Sequence, residues 1–215
     1  MERIKAILQN PQGIRWLFYG DSITHGAKHT EGFRDFSELF RERVLWEMLR
    51  QKDLVLNAAY SGFTSTNLLE DFEWRAKAFM PTVAFVMIGT NDVARGIGLE
   101  QFEGQIEELT RKFQEIGTLP VLITPLPVLR NLDEARKDVS LYAEVIRKVA
   151  KKHQLPLIDE FESWRNDPAE FYLYSDPVHP NAEGHRKIAF DIFRALGIFE
   201  TNDSWVCRFF VPPAE

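Results

Sequence analysis

Trp16-Leu17-Phe18-Tyr19-Gly20-Asp21-Ser22-Ile23-Thr24-His25-Gly26 passes abruptly from bulky apolar side chains to polar ones. The run Trp16–Tyr19 has no polar position and so no solvent face, which is the pattern of a short strand covered on both sides. Polar and small residues follow at once, at the carboxyl end of that strand, where open α/β sheets bind their ligands. The same pattern recurs along the chain. Leu54–Ala58 leads into Tyr60-Ser61-Gly62-Phe63-Thr64, and Val83–Ile88 into Gly89-Thr90-Asn91-Asp92. Val121–Thr124 and Leu157–Ile158 complete a set of five strands, and beyond the last comes Ser175-Asp176-Pro177-Val178-His179-Pro180-Asn181.

The segments between the strands have helical periodicity. Phe33–Gln51 places Phe36, Leu39, Phe40, Val44, Leu45 and Met48 on one face, and Ser65–Met80, Leu99–Ile116, Ser140–His153 and Ala182–Leu196 read the same way. Gly117 and Gly197 stand where helices end, and Pro81 and Pro120 are expected in turns leading into the next strands. Leu126–Lys137 is irregular and reads as a long loop. Strands alternating with helices specify an α/β fold, a parallel sheet with helices on both faces. In the common strand order 2-1-3-4-5 the switch point falls between the first and third strands, so Ser22 and Asn91 would flank the crevice.

Bulk properties agree. A chain of 215 residues suits one domain and buries a sizeable core without disulfide or metal staples. Its net charge of −6 argues against nucleic acid or an anionic membrane as the main partner. Cys207 is the single cysteine, which excludes a disulfide within the chain and any paired-cysteine metal or redox motif. Met1–Asn10 shows no secretory signal and the apolar run Thr82–Gly89 is too short to span a bilayer, so the expected location is cytoplasmic, without membrane insertion. Residues 1–200 read as the domain. Residues 201–215, with apolar Trp205, Val206, Phe209, Phe210 and Val211, read as a tail packed back on it, the alternative being a contact with a second copy or a cover over the site.

The residues at the strand ends are those acyl transfer requires. Ser22 becomes a nucleophile when a base takes its proton, and His179 is a suitable base near neutrality. Asp176 can hold that imidazole in the productive tautomer. The backbone N–H groups of Ser22 and Gly62 and the Asn91 amide can donate to an oxyanion. Gly20-Asp21-Ser22-Ile23, Ser61-Gly62, Gly89-Thr90-Asn91-Asp92 and Asp176-Pro177-Val178-His179-Pro180 resemble, in order and spacing, the four blocks of the SGNH hydrolases, or GDSL esterases and lipases. The resemblance runs from Arg15 to about Leu196. It implies a three-layer α/β/α sandwich on a five-stranded parallel sheet, Ser22, His179 and Asp176 as the triad, and Ser22, Gly62 and Asn91 as the oxyanion hole. The activity implied is hydrolysis of small carboxylic esters through an acyl-enzyme, or of O-acetyl groups on carbohydrate, with no metal or organic cofactor. The first block ends in Ile23 where the family name has Leu, which touches nothing catalytic.

Two other classes are weighed beside it. A metal-dependent phosphoesterase would use Asp21, Asn91, Asp92, Asp176 and His179, but the chain lacks dense ligand spacing. A binding module that had lost its chemistry would not keep all the required side chains. Among the neighbours, Asp21 and Asp92 are expected to tie loops, and His25 and His29 to be solvated loop residues near the mouth of the site, the alternative being contact with substrate. His185 is expected at the surface or hydrogen-bonded, and Trp16, Trp46 and Trp74 in the core. Trp164, Phe171, Tyr172 and Tyr174 are expected to pack beneath the Asp-His loop, the alternative being the wall of an acyl or sugar pocket.

Overall fold

A computed structural model describes residues 1–9, 11–129, 132–165, 167 and 170–208. The chain opens with α1 (Glu2–Leu8) and β1 (Arg15–Gly20), and continues through α2 (Ser22–His25), α3 (Phe36–Glu42) and β2 (Leu54–Asn57). Next come α4 (Ser65–Glu70), α5 (Phe72–Arg75), β3 (Val83–Met87), α6 (Thr90–Ala94), α7 (Leu99–Glu115) and β4 (Leu119–Ile123). The last elements are α8 (Val139–Lys152), β5 (Leu157–Ile158), α9 (Glu160–Trp164), α10 (Glu170–Leu173) and α11 (Ala182–Leu196). The five strands form one parallel sheet in the order β2-β1-β3-β4-β5.

Alternation along the central strands sends side chains into two cores. Trp16 and Phe18 of β1 and Phe85 of β3 face α3 and α11, where Phe36, Phe40, Ile188 and Phe193 are buried with them. Phe18 stacks on Phe85 at 4.8 Å and meets Phe36 and Phe40 edge-on. Leu17, Tyr19 and Val86 face the other way, into a core with Phe102 and Phe113 of α7 and Ile146 of α8. Aromatic and β-branched residues with no polar position thus fill both faces, and the result is the expected three-layer α/β/α sandwich.

Two expected helices are broken, each by a distant contact. In Ser65–Met80 the Tyr19 hydroxyl donates to the Leu68 carbonyl at 2.7 Å, on the residue whose oxygen would serve Phe72 in an unbroken helix. The chain leaves helical geometry at Asp71 and again at Ala76, giving α4, α5 and a 3₁₀ turn, Lys77–Phe79. In Phe33–Gln51, Asp35 caps the helix with a capping box, so it starts at Phe36. It then widens into a π turn at Arg43–Glu47. Glu47 in that turn accepts from the Ser204 hydroxyl at 2.7 Å and the Val206 N–H at 3.0 Å. Trp16 is buried as expected, but Trp46 and Trp74 are 69% and 74% exposed and are not core anchors. Both lie on the solvent side of these broken helices, where the uninterrupted period no longer applies.

Pro120 lies inside β4 rather than in a turn before it. Leu119 donates to Thr82 on the β3 side, so the position of the missing Pro120 N–H faces the β5 side. β5 begins opposite Leu122, so Pro120 deprives no partner of a hydrogen bond. Leu126–Lys137 is irregular as expected apart from a 3₁₀ turn at Glu134–Arg136, with Arg130 and Asn131 outside the described residues. Of the tail, Phe209, Phe210 and Val211 likewise lie outside the described residues, while Val206 and Cys207 are buried and the Trp205 indole donates to Glu42 at 2.7 Å.

Candidate active site

The end of β1 is packed too closely for a side chain. A Cβ on Gly20 would stand 2.3 Å from the Met87 carbonyl and 2.5 Å from the Thr24 hydroxyl, so only glycine lets β1 run beside β3 here. Asp21 follows as the cap of α2, its carboxylate accepting from the Ile23 N–H at 3.0 Å. This makes Ser22 the first residue of the helix, where a backbone N–H has no helical acceptor. Ser22 Oγ lies 2.9 Å from His179 Nε2, a contact spanning 157 residues.

The histidine is held by the turn that carries it. Asp176 accepts from the Val178 and His179 N–H groups, each at 2.8 Å, and its two carboxylate oxygens lie 3.0 and 2.9 Å from His179 Nδ1. Burial pushes the Asp176 carboxyl up, but those N–H groups and the imidazole outweigh it and hold the group below its ordinary value. Asn181 fixes the start of α11 by accepting from Glu183 and Gly184, and its amide donates to the Tyr172 and Tyr174 carbonyls.

Two further segments reach the same place. Tyr60–Phe63 forms a tight turn, Phe63 N–H to Tyr60 carbonyl at 3.2 Å, with Gly62 at φ 86, a left-handed conformation that favours glycine. Its two flanks are tied down. The Ser61 hydroxyl lies 3.0 Å from His25 Nδ1, and the Phe63 carbonyl accepts from the Asn91 amide at 3.0 Å. Asn91 is buried in α6, and its amide has a second N–H beyond the one given to Phe63.

The structure therefore brings Ser22, His179 and Asp176 into one hydrogen-bonded line and joins Asn91 to the Gly62 turn. Asp21 and Asp92 are buried and tie loops, Asp92 accepting from both the N–H and the hydroxyl of Ser65. Burial pushes the Asp21 carboxyl up to about 7, with the charge of Asp92 adding to it. Neither carboxylate belongs to a group of three or more possible metal ligands among the described residues. The ligand atoms of His29, Asp176 and His179 lie within 4.8 Å of one another, but the two rings are parallel to within 5°, so their in-plane lone pairs run alongside rather than converge on one ion.

Several neighbours differ from expectation. His25 and His29 are not free loop residues: His25 also stacks on Tyr60, and His29 stacks on His179 itself at 3.8 Å. His185 follows the second of its two expectations: it is buried and hydrogen-bonded, its Nδ1 accepting from the Phe36 N–H at 3.4 Å. The aromatic cluster divides. Trp164 and Tyr174 pack beneath the turn and donate to Glu160 and to the Pro127 carbonyl, whereas Phe171 and Tyr172 are exposed beside it. One residue had no sequence signal at all. Arg136 donates to the Thr90 carbonyl at 3.1 Å and to Asn91 Oδ1 at 3.4 Å, and so orients the Asn91 amide from an irregular segment.

By architecture the chain is a three-layer α/β hydrolase, with its polar groups gathered at the switch point between β1 and β3. More particularly, it belongs to the GDSL-like lipase/acylhydrolase family, whose model matches residues 18–187. The family is one of lipases and acylhydrolases, and the chain spans about a quarter or less of the length of the first curated relatives it matches. It is 28% identical over 213 residues to a multidomain esterase of Ruminococcus flavefaciens, with 81% of this chain matched but only 27% of that protein's length. It is 26% identical over 192 residues to thioesterase 1/protease 1/lysophospholipase L1 of Escherichia coli, covering 87% of this chain and 86% of that one. The fold is shared with the acetylxylan esterase Axe2 of Geobacillus stearothermophilus, at a TM-score of 0.71 and 22% identity over 86% of this chain and 95% of the other. Among the described residues no helix is long and apolar enough to cross a membrane.

Proposed function

We propose that the chain is a serine ester hydrolase acting on small carboxylic esters through an acyl-enzyme. The observation that carries this reading is the line from Ser22 Oγ through the His179 ring to the Asp176 carboxylate. Ser22 attacks the ester carbonyl while His179 Nε2 takes its proton, and Asp176 steadies the imidazolium that forms. The oxyanion is met by the backbone N–H groups of Ser22 and Gly62 and by the second N–H of the Asn91 amide. The alcohol leaves with the proton from His179. A water molecule then repeats the sequence on the acyl-enzyme and releases the acid.

A second reading, removal of O-acetyl groups from carbohydrate, is favoured by two observations. The fold neighbour Axe2 is an acetylxylan esterase, and Phe171 and Tyr172 present exposed rings beside the Asp-His turn, where a sugar face can stack. Residues 1–200 act as the catalytic domain in either case. The tail packs on it through Ser204 and Val206, which bond to Glu47.

The test is a hydrolysis panel of p-nitrophenyl acetate, butyrate and octanoate with acetylated xylose and glucose, run on the wild type and on Ser22→Ala. Ester cleavage that is lost in Ser22→Ala at unchanged Tm supports the reading, and a fully active Ser22→Ala protein overturns it. Preference for acetyl groups on sugars over the longer acyl chains selects the carbohydrate reading.

A further inference from the structure

The segment after α2 is wound tightly. His29 N–H bonds to the Ala27 carbonyl, Glu31 to Lys28 and Phe33 to Thr30, while the Thr30 hydroxyl returns to the Gly26 carbonyl. Lys28 and Glu31 have φ of 72° and 53°, a left-handed conformation that costs any residue with a Cβ and persists only where the surroundings enforce it. Such winding calls for a reason, and the residue it delivers is His29.

His29 touches the base-bearing turn twice. Its ring lies flat on His179, centroids 3.8 Å apart and planes within 5°. Its Nδ1 lies 2.9 Å from Ser175 Oγ and 3.6 Å from Asp176 Oδ2. Ser175 Oγ also lies 3.2 Å from the His179 carbonyl, so one hydroxyl links the His29 ring to the backbone of the turn. The Ser175 N–H bonds to the same carbonyl at 2.9 Å, closing the turn on itself. Burial and the adjacent His179 hold His29 below the ordinary imidazole value, with Lys28 adding to this and Asp176 opposing it.

We propose that His29 is a positioning residue for the base, an imidazole clamp joining the Ser22 loop to the Ser175–His179 turn. The Asp176 and Ser22 contacts fix the two nitrogens of His179 but leave its faces uncovered. The His29 ring covers one face and opposes tilting about the Asp176–Ser22 line, while the hydrogen bond between its Nδ1 and the Ser175 hydroxyl holds the turn at the height of the nucleophile. The role assigned to His29 rests on the reading of Ser22 and His179 as nucleophile and base.

Three variants separate the parts of the clamp: His29→Ala removes ring and hydrogen bond, His29→Phe keeps a ring, and His29→Asn keeps a hydrogen-bonding group. Two readouts are used on variants of unchanged Tm. In steady-state hydrolysis of p-nitrophenyl acetate, His29→Ala is expected to lower kcat about tenfold or more with KM within about twofold, because a displaced base harms the transition state and not ground-state binding. His29→Phe or His29→Asn is expected to restore part of the loss. In proton NMR, the low-field resonance of the His179 Nδ1 proton, seen in the wild type, is expected to broaden or vanish in His29→Ala. Overturning results are a His29→Ala kcat within about twofold of wild type, a loss confined to KM, or a low-field resonance that is unchanged. The NMR arm needs no turnover, so an inactive wild type would defeat the esterase reading while still testing the clamp.

Discussion

Replacing His185 should change how the protein responds to acid. This side chain lies in α11 with its ring 5.8 Å from that of Phe36, and its Nδ1 accepts the Phe36 N–H. Burial lowers its pKa to about 3, and the neighbouring His29 and His179 push in the same direction. In the unfolded chain the group returns to about 6.5. The unfolded state therefore binds a proton that the native state refuses as the pH falls from about 6.5 toward 3, and stability is lost across that window. The penalty from this one group is negligible at pH 7.5, about 2 kcal/mol at pH 5 and about 3 kcal/mol at pH 4. Urea unfolding of wild type and His185→Asn at these three pH values measures it. Asn keeps an acceptor near the Phe36 N–H, and whatever its replacement costs in packing is common to all three conditions. The gap between the two proteins should therefore narrow by about 2 kcal/mol between pH 7.5 and pH 5. Curves that stay parallel over this range would show that His185 is protonated as readily in the native chain as in the unfolded one, and the reasoning would fail.

Two further outcomes concern Asn91, proposed as an oxyanion donor, and the arginine that orients it. Asn91→Ala should reduce kcat for p-nitrophenyl acetate by roughly 10²–10³ with a smaller change in KM, whereas a change in KM alone would mean that Asn91 contacts only ground-state substrate. Arg136→Ala should lower kcat about tenfold by freeing the Asn91 amide, and Arg136→Lys should not restore it, because a single ammonium cannot replace a planar fork that reaches Thr90 and Asn91 together. Full activity in Arg136→Ala would show that the Phe63 carbonyl orients Asn91 unaided.

What could be read in advance was what is written locally. Trp16–Tyr19 has no polar position, so its strand and its burial on both faces were legible, as was the ordering of strands that sets Ser22 across from Asn91. Ser22, Gly62 and Asn91 lie close after the ends of β1, β2 and β3, which is where the fold places ligands, whereas Asp176 and His179 lie beyond α9 and α10 and were singled out by the motif they form. The features that were missed depend on contacts between distant residues. The break at Asp71 depends on Tyr19, and the exposure of Trp46 on a π turn that shifts the helical phase. His29 reads as an ordinary loop histidine until a turn some 146 residues later is laid against it, and Arg136 as an ordinary charged residue until α6 is placed beside it. Pro120 misled because its restriction holds only where a neighbouring strand needs the missing N–H.

The contact between Ser22 and His179 joins the first strand of the sheet to the segment that precedes the last helix. Closing so long a chain loop is a late and entropically costly event in folding, and its reversal is an early one in unfolding. If α11 detached with the turn before it, β1 to β4 would keep their pairing while every bond to the base was lost. Native proteins open in such contiguous units, some well below the free energy of global unfolding. Turnover would then cease in a molecule whose sheet is still assembled, and loss of activity in mild denaturant would run ahead of loss of far-ultraviolet circular dichroism. On the proposed reading of the site, turnover reports whether α11 and the turn before it are docked.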